Sequence, residues 1–330
     1  MRYLKYLIPC LTALFLTACE KPSPQEFKDL LKKCNPDWKG EFATGNYSQT
    51  TPVFDFDRGY KYNAVAVSGK ELRDLSPFSR ITLRLFSLHD TEFTSADFMR
   101  KFKWEPDAII DLQNCPKLSD LRALGELPVS VLSMVNVPLF TDTSVLHSKI
   151  RSATLIQTGV CKLDFPHPEE LKNLCFMETK EADLSQIGKM TKLNSLTLKN
   201  VRTLDGIAFS HLARLEDFTL TNSAAEKIPL FKPDILRSVS IEDCPNIRDL
   251  NVLSGKLLDS LFLIRSGDPG KLLANVSDIR VNLLVIKGVE VSDISFLKRI
   301  KDLNRVRFQN CKGLPEHIDL PFVEVIVENR

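Results

Sequence analysis

The chain has 330 residues, 43% hydrophobic and 26% charged, a balance that supports a packed core and excludes a disordered polymer or a multi-span membrane protein. Its 44 Lys and Arg stand against 42 Asp and Glu with no basic run, which sets nucleic-acid binding aside. The length fits two ordinary domains of ~150 residues or one elongated array.

In chain order, the first element is a leader. Arg2 and Lys5 precede an apolar stretch from Tyr6 to Leu16, too short for the ~20 residues of a spanning helix. Residues 1–18 therefore read as a signal peptide, and removing them leaves 42 basic against 42 acidic residues. The stretch ends in Leu16-Thr17-Ala18-Cys19, which resembles the lipobox of bacterial lipoproteins at all four positions. The resemblance implies cleavage before Cys19 and attachment of fatty acyl chains, palmitate among them, to its sulfur and amino group. Each buried methylene contributes about 0.8 kcal/mol, so several chains make a lasting membrane tether. Glu20 stands where inner-membrane retention typically has Asp, so the resemblance implies a lipid anchor in the outer membrane of a bacterial envelope, with periplasmic or surface exposure left open.

Residues 19–25 form the lipidated end and a Pro-rich spacer. Ser23, Pro24 and Glu26 predict a capping box, with Phe27, Leu30, Leu31 and Cys34 on one helical face and Asn35-Pro36 as the stop. Strand-like alternation follows in Val53-Phe54-Asp55-Phe56, Tyr60 to Val67 and Ile81 to Leu85. The segment 26–106 is read as an N-terminal helix and strand cap.

From residue 107 to 330 the chain repeats itself at about 22 residues. The clearest units are Leu193-x-x-Leu196-x-Leu198, Leu215-x-x-Phe218-x-Leu220, Leu236-x-x-Val239-x-Ile241, Leu258-x-x-Leu261-x-Leu263 and Leu303-x-x-Val306-x-Phe308. Weaker units start at Asp107, Val129, Ile150, Leu171 and Val281, and the ten starts are 22, 21, 21, 22, 22, 21, 22, 23 and 22 residues apart. Position nine is always small or β-branched: Cys115, Val137, Thr158, Thr179, Val201, Ser223, Cys244, Ser266, Val289 and Cys311. Position eight, expected to face water, is mostly Asn, Asp or another polar residue. The pattern resembles the cysteine-containing variety of leucine-rich repeats. That resemblance implies an α/β solenoid, a horseshoe of about ten turns with parallel strands on its concave face and a closing strand within 320–327. Asp107 departs from it, standing where an aliphatic belongs, and the turns after Ser223 and Ser266 lack the apolar residue at position twelve.

In such a coil, Cys115, Cys244 and Cys311 fall three or more turns apart, beyond disulfide reach, so they are expected to be free core thiols. No metal-ligand spacing is present, no cofactor is implied, and none of the five histidines falls in a catalytic motif. His167-Pro168-Glu169-Glu170 is read as a solvated helix start. The chain is therefore not expected to be an enzyme.

Positions three, five and seven of each strand project from the concave face. Val131, Val135, Ile156, Cys175 and Met177 form one apolar patch there, and Phe262, Ile264, Leu283 and Val285 another, with Lys287, Arg305 and Arg307 as a basic rim. Side-by-side apolar residues on a strand face point to a protein ligand seated on them. The reading is an envelope-anchored binding scaffold. Two alternatives stand beside it: an immunity- or inhibitor-type lipoprotein that neutralises one toxin or enzyme, and an enzyme or glycan-processing factor.

Overall fold

The computed structural model describes residues 22–47, 52–53, 63–147, 149–177, 182–231, 235–291 and 293–328. The leader, Cys19, residues 54–56 and 60–62 of the strand-like segments, Glu178 and Thr179 lie outside the described residues.

Helix α1, Pro24–Cys34, starts as its sequence dictates. The Ser23 hydroxyl accepts from the Glu26 amide and the Glu26 carboxylate from the Ser23 amide, reciprocal bonds that satisfy two open helix-end donors. Phe27 and Leu31 are buried. The buried Asn35 ends the helix and does more than stop it. Its Nδ2 donates to the carbonyls of Leu31 and Asp74 (3.0 and 2.8 Å), and its Oδ1 accepts from the amides of Arg73 and Asp74 (2.7 and 2.9 Å). One side chain thus pins the helix to a loop 39 residues away.

Strands β1 (Phe42–Tyr47) and β2 (Pro52–Val53) follow as an antiparallel pair, and β1 runs antiparallel to β3 (Ala64–Ser68). From β3 onward every neighbour is parallel: β4 Thr82–His89, β5 Lys103–Gln113, β6 Val129–Val137, β7 Ser152–Thr158, β8 Asn173–Met177, β9 Ser195–Lys199, β10 Asp217–Thr221, β11 Ser238–Glu242, β12 Leu257–Ile264, β13 Arg280–Lys287, β14 Arg305–Gln309 and β15 Glu324–Glu328. Among the described residues this is one sheet of 15 strands, each beside its chain neighbour except at β1 and β2. The fold is a leucine-rich-repeat solenoid. At about 4.8 Å per strand, β3 to β15 extend on the order of 60 Å.

The ladder does not begin at residue 107. Phe86 pairs with Val65 and Ile110 with Phe86, so β3 and β4 are turns of the same coil, and the 26–106 segment holds both them and the cap. A register shift at Ala108/Ile109 places Ala108 opposite Val129. Ala108, fully buried, therefore fills the inward slot expected of Asp107, and Asp107 is turned out with φ 58°. The misfit of an acidic residue at position one is resolved by a bulge.

Inward positions one, four and six build the core; Leu193, Leu196 and Leu198 are fully buried. Opposite the strands run short 3-10 segments such as Arg122–Glu126, Ser185–Lys189 and Ser295–Arg299. Several open on an aspartate that accepts from the amide two residues on: Asp142 from Ser144, Asp183 from Ser185, Asp293 from Ser295. After Ser266 the turn is instead a short helix α2, Pro269–Leu272, capped by Asp268. These bulkier segments space the outer side more widely than the strands, so the strand side is the concave one.

Position eight has a backbone reason. Asp90, Asn114, Asn136, Gln157, Asn200, Asn222, Asp243, Arg265 and Asn310 all have φ between 47° and 58°, and Gly288 has 67°. The chain leaves each of these strands through a left-handed residue, the conformation that Asn, Asp and Gly adopt most readily. Their side chains form a second ladder: Asn136 donates to Asn114 and Asn114 to Asp90, both at 3.0 Å, and Arg265 grips Asp243 with two 2.6 Å bonds.

Position nine links the turns. Cys244 Sγ donates to Glu242 O (3.0 Å) and to Leu220 O of the turn before (3.6 Å). Cys115 and Cys311 repeat this with Gln113 and Leu88, and with Gln309 and Ile286. The buried hydroxyl of Ser266 faces the same two carbonyl positions, Ile264 O (2.8 Å) and Ile241 O (3.0 Å), and accepts from the Cys244 amide (3.1 Å). Burial pushes the thiols of Cys115 and Cys244 up, so at neutral pH they remain protonated donors.

Candidate functional site: the strand-lined face

Strand pairing turns the concave positions into three rows. In the third-position row, Leu85, Ile109 and Val131 sit on successive strands. In the seventh-position row, Val135, Ile156 and Met177 do the same. A fifth-position trough of Ser87, Asp111, Ser133, Thr154 and Cys175 runs between these two rows; the first ridge lines it along β4 to β6 and the second lines its other side along β6 to β8, the two meeting across it at Val131 and Val135. At the far end, Phe262 lies beside Val285, Ile264 beside Lys287, and Leu283 beside Arg305.

Of the residues singled out from sequence, Val131, Val135, Ile156, Met177, Phe262, Ile264 and Leu283 are partly exposed on this face and take no part in the core cluster. Val285 departs from the expectation. It is only 8% exposed, because Phe262 on one side and Arg307 on the other cover it. The basic rim is also weaker than its residues suggest. β15 supplies Glu324 to Arg305 (Nε–Oε2 2.5 Å) and Glu328 to Arg307 (Nε–Oε1 3.7 Å). Between the patches the face is polar: Ser195, Thr197 and Lys199, then Thr219 and Thr221, then Ser238, Ser240 and Glu242.

Sequence reading missed one cluster in the trough. Ser87 Oγ donates to Asp111 Oδ2 (2.6 Å), His89 Nε2 lies 2.6 Å from Ser87 Oγ and 3.1 Å from Asp111 Oδ2, and Gln113 Nε2 donates to the same carboxylate (2.9 Å). Burial alone would raise the Asp111 carboxyl, but hydrogen bonds from His89, Ser87 and Ser133 together hold it below the ordinary range. The residue types match a hydrolytic triad; the geometry does not. A relay needs the imidazole between hydroxyl and carboxylate, one nitrogen to each. Here one nitrogen faces both, and the serine proton is already committed to the carboxylate. The cluster is a hydrogen-bonded tie across β4, β5 and β6.

His167 and Glu169 lie 3.7 Å apart on an exposed 3-10 turn before β8, as expected of a solvated start. Among the described residues no group of three His, Cys, Asp or Glu is arranged to hold a metal ion, and no helix is long and apolar enough to cross a membrane. Cys34, Cys115, Cys161, Cys175, Cys244 and Cys311 are unbonded thiols.

The architecture defines the class: a leucine-rich-repeat coil whose strand-lined face carries apolar ridges. No family model matches the chain, and no curated protein matches it. Among solved structures it is similar to an internalin (inlF) from Listeria monocytogenes str. 4b F2365, at 19% identity and a TM-score of 0.47 over 76% of this chain and 74% of that one.

Proposed function

We propose that the protein is a non-enzymatic binding scaffold of the bacterial envelope that seats a protein ligand on its concave face and is held to the outer membrane by acyl chains on Cys19. The observation that carries the reading is the unbroken, partly exposed row Val135–Ile156–Met177 on β6 to β8, which continues diagonally, across Val131 and Val135 of β6, the row Leu85–Ile109–Val131 on β4 to β6. Apolar side chains on adjoining strands outside the core contribute little to folding and much to a contact that desolvates them. Two staggered ridges separated by a polar trough suit a partner that lays apolar side chains diagonally across the face while its polar groups meet Ser133 and Thr154. The anchor rests on the lipobox resemblance.

Crosslinking in intact cells, followed by identification of what is captured, tests the reading. Variants Ile156→Ser with Met177→Ser, and Phe262→Ser with Ile264→Ser, are expected to lose the captured protein while unfolding near the wild-type midpoint. Unchanged capture with lowered stability would reject it. For the tether, Cys19→Ala is expected to release the protein from the membrane fraction, and retention there would reject the anchor.

A further inference from the structure

We propose that the outer edge of β15, which no other strand pairs among the described residues, is a second docking site, one that takes an extended segment with basic residues at its ends and apolar residues between. The idea is independent of the concave-face reading. Inner strands of the coil bury their inward residues, as Val306 and Phe308 of β14 show. In β15 the residues in register with them are Val325 and Val327; Val325 packs against the core but is only partly buried, and Val327 is 48% exposed. Phe322, just before the strand, is 100% exposed. The backbone is open in the same direction. The Glu324 amide donates to Asn304 O and the Asn310 amide to Glu328 O, each at 2.9 Å, so residues 324 and 328 turn their backbone groups toward β14. By strand alternation Val325 and Val327 turn theirs away.

Charge selects the occupant. Protein edges are normally blunted against further pairing, and here the charges on the strand are two glutamates, one at each end. β14 displays their complement: Arg305 bonds Glu324, and Gln309 Nε2 donates to Glu328 at 2.8 Å. A carboxylate has acceptor capacity for a second donor on its far side. A second copy is the wrong partner, because two β15 strands paired antiparallel about a twofold set Glu324 against Glu328 at both ends, a like-charge contact. A strand with Lys or Arg at those places and apolar residues opposite Val325 and Val327 extends both the ladder and the charge pairing.

The probe is a fluorescein-labelled peptide with Lys-Val-Thr-Val-Arg between Gly-Ser flanks, and its counterpart with Glu-Val-Thr-Val-Glu, titrated against the full chain at low salt by fluorescence anisotropy. Wild type is expected to bind the basic peptide saturably and the acidic one not at all. Val327→Pro puts proline on an outward amide, where edge strands accept it, and is expected to weaken binding about five- to tenfold, the worth of one hydrogen bond, with the circular dichroism melt unchanged. Glu324→Gln with Glu328→Gln, which keeps the shape, is expected to abolish the preference for the basic peptide and carries the test should Val327→Pro fail to fold. Equal binding of both peptides, no binding, or an unaltered preference in the double variant overturns the proposal. So does a dimer in light scattering that Val327→Pro dissolves, which would give the edge to a second copy.

Discussion

Ser266→Ala isolates the device that joins neighbouring turns. The change is small and places a methyl where the site already excludes water, so a reading based on hydrophobicity alone expects little loss. The structure expects more. Ser266 is 1% exposed, and its hydroxyl faces Ile264 O and Ile241 O as donor and accepts from the Cys244 amide. Its removal leaves a buried N–H without a partner, about 1–3 kcal/mol, and loses a donated bond contributing about 0.5–1.5 kcal/mol. The expected total is about 1.5–4.5 kcal/mol. Ser266→Cys retains a donor and a sulfur acceptor, as Cys244 does one turn earlier, and is expected to cost about 1 kcal/mol. Urea unfolding followed by circular dichroism at pH 7 measures both, with the slope of the transition checked for constancy. An alanine variant within about 0.5 kcal/mol of wild type, or a cysteine variant as unstable as alanine, would refute the linkage.

Asn35→Ala removes four bonds at once and leaves the amides of Arg73 and Asp74 unpaired; a loss of about 3 kcal/mol is expected, with early proteolytic cleavage around α1 as a second readout. Acid sensitivity is expected from the turn aspartates. Hydrogen bonds from Ser144, Ser185 and Ser295 lower Asp142, Asp183 and Asp293, and Arg122 holds Asp120 at about 2. Folded-state values below the unfolded ones give stability that is complete above the unfolded aspartate pKa of about 4 and lost as pH falls through the folded values. The urea midpoint should therefore be insensitive to these groups from pH 7 to about 5 and fall between about 4 and 2; a midpoint unchanged at pH 3 would contradict this.

The repeat was legible because burial imposes a strict frame: Leu193, Leu196 and Leu198 recur in kind at each turn, and the compact residues at position nine confirm it. Three features were not. The frame Leu83-x-x-Phe86-x-Leu88-x-x-Thr91 continues the motif backward, but the bulge around Asp107 lengthens the interval to Ile110 and hides it. The Asn and Asp residues of position eight do face solvent, as their polarity implies, but solvent does not explain the choice of Asn and Asp; left-handed backbone does, and their recurrence is its signal. The tie of Ser87, His89, Asp111 and Ser133 required knowing which strands are neighbours, and that follows only once β4 is admitted to the coil. Of the strand-face residues, side-chain direction was readable from alternation, but the cover over Val285 and the neutralisation of Arg305 depend on adjoining strands.

The bulge at Asp107 has a mechanical consequence. It interrupts the even register of the coil between β4 and β6 and makes β5 the plane at which the two parts of the stack join unevenly. On the strand face, the carboxylate of Asp111 is clasped from both sides of that plane, by Ser87 and His89 above and Ser133 below. This polar tie beside the first ridge thus acts as a rivet, keeping that ridge, which crosses the plane from Leu85 to Val131, a single continuous surface.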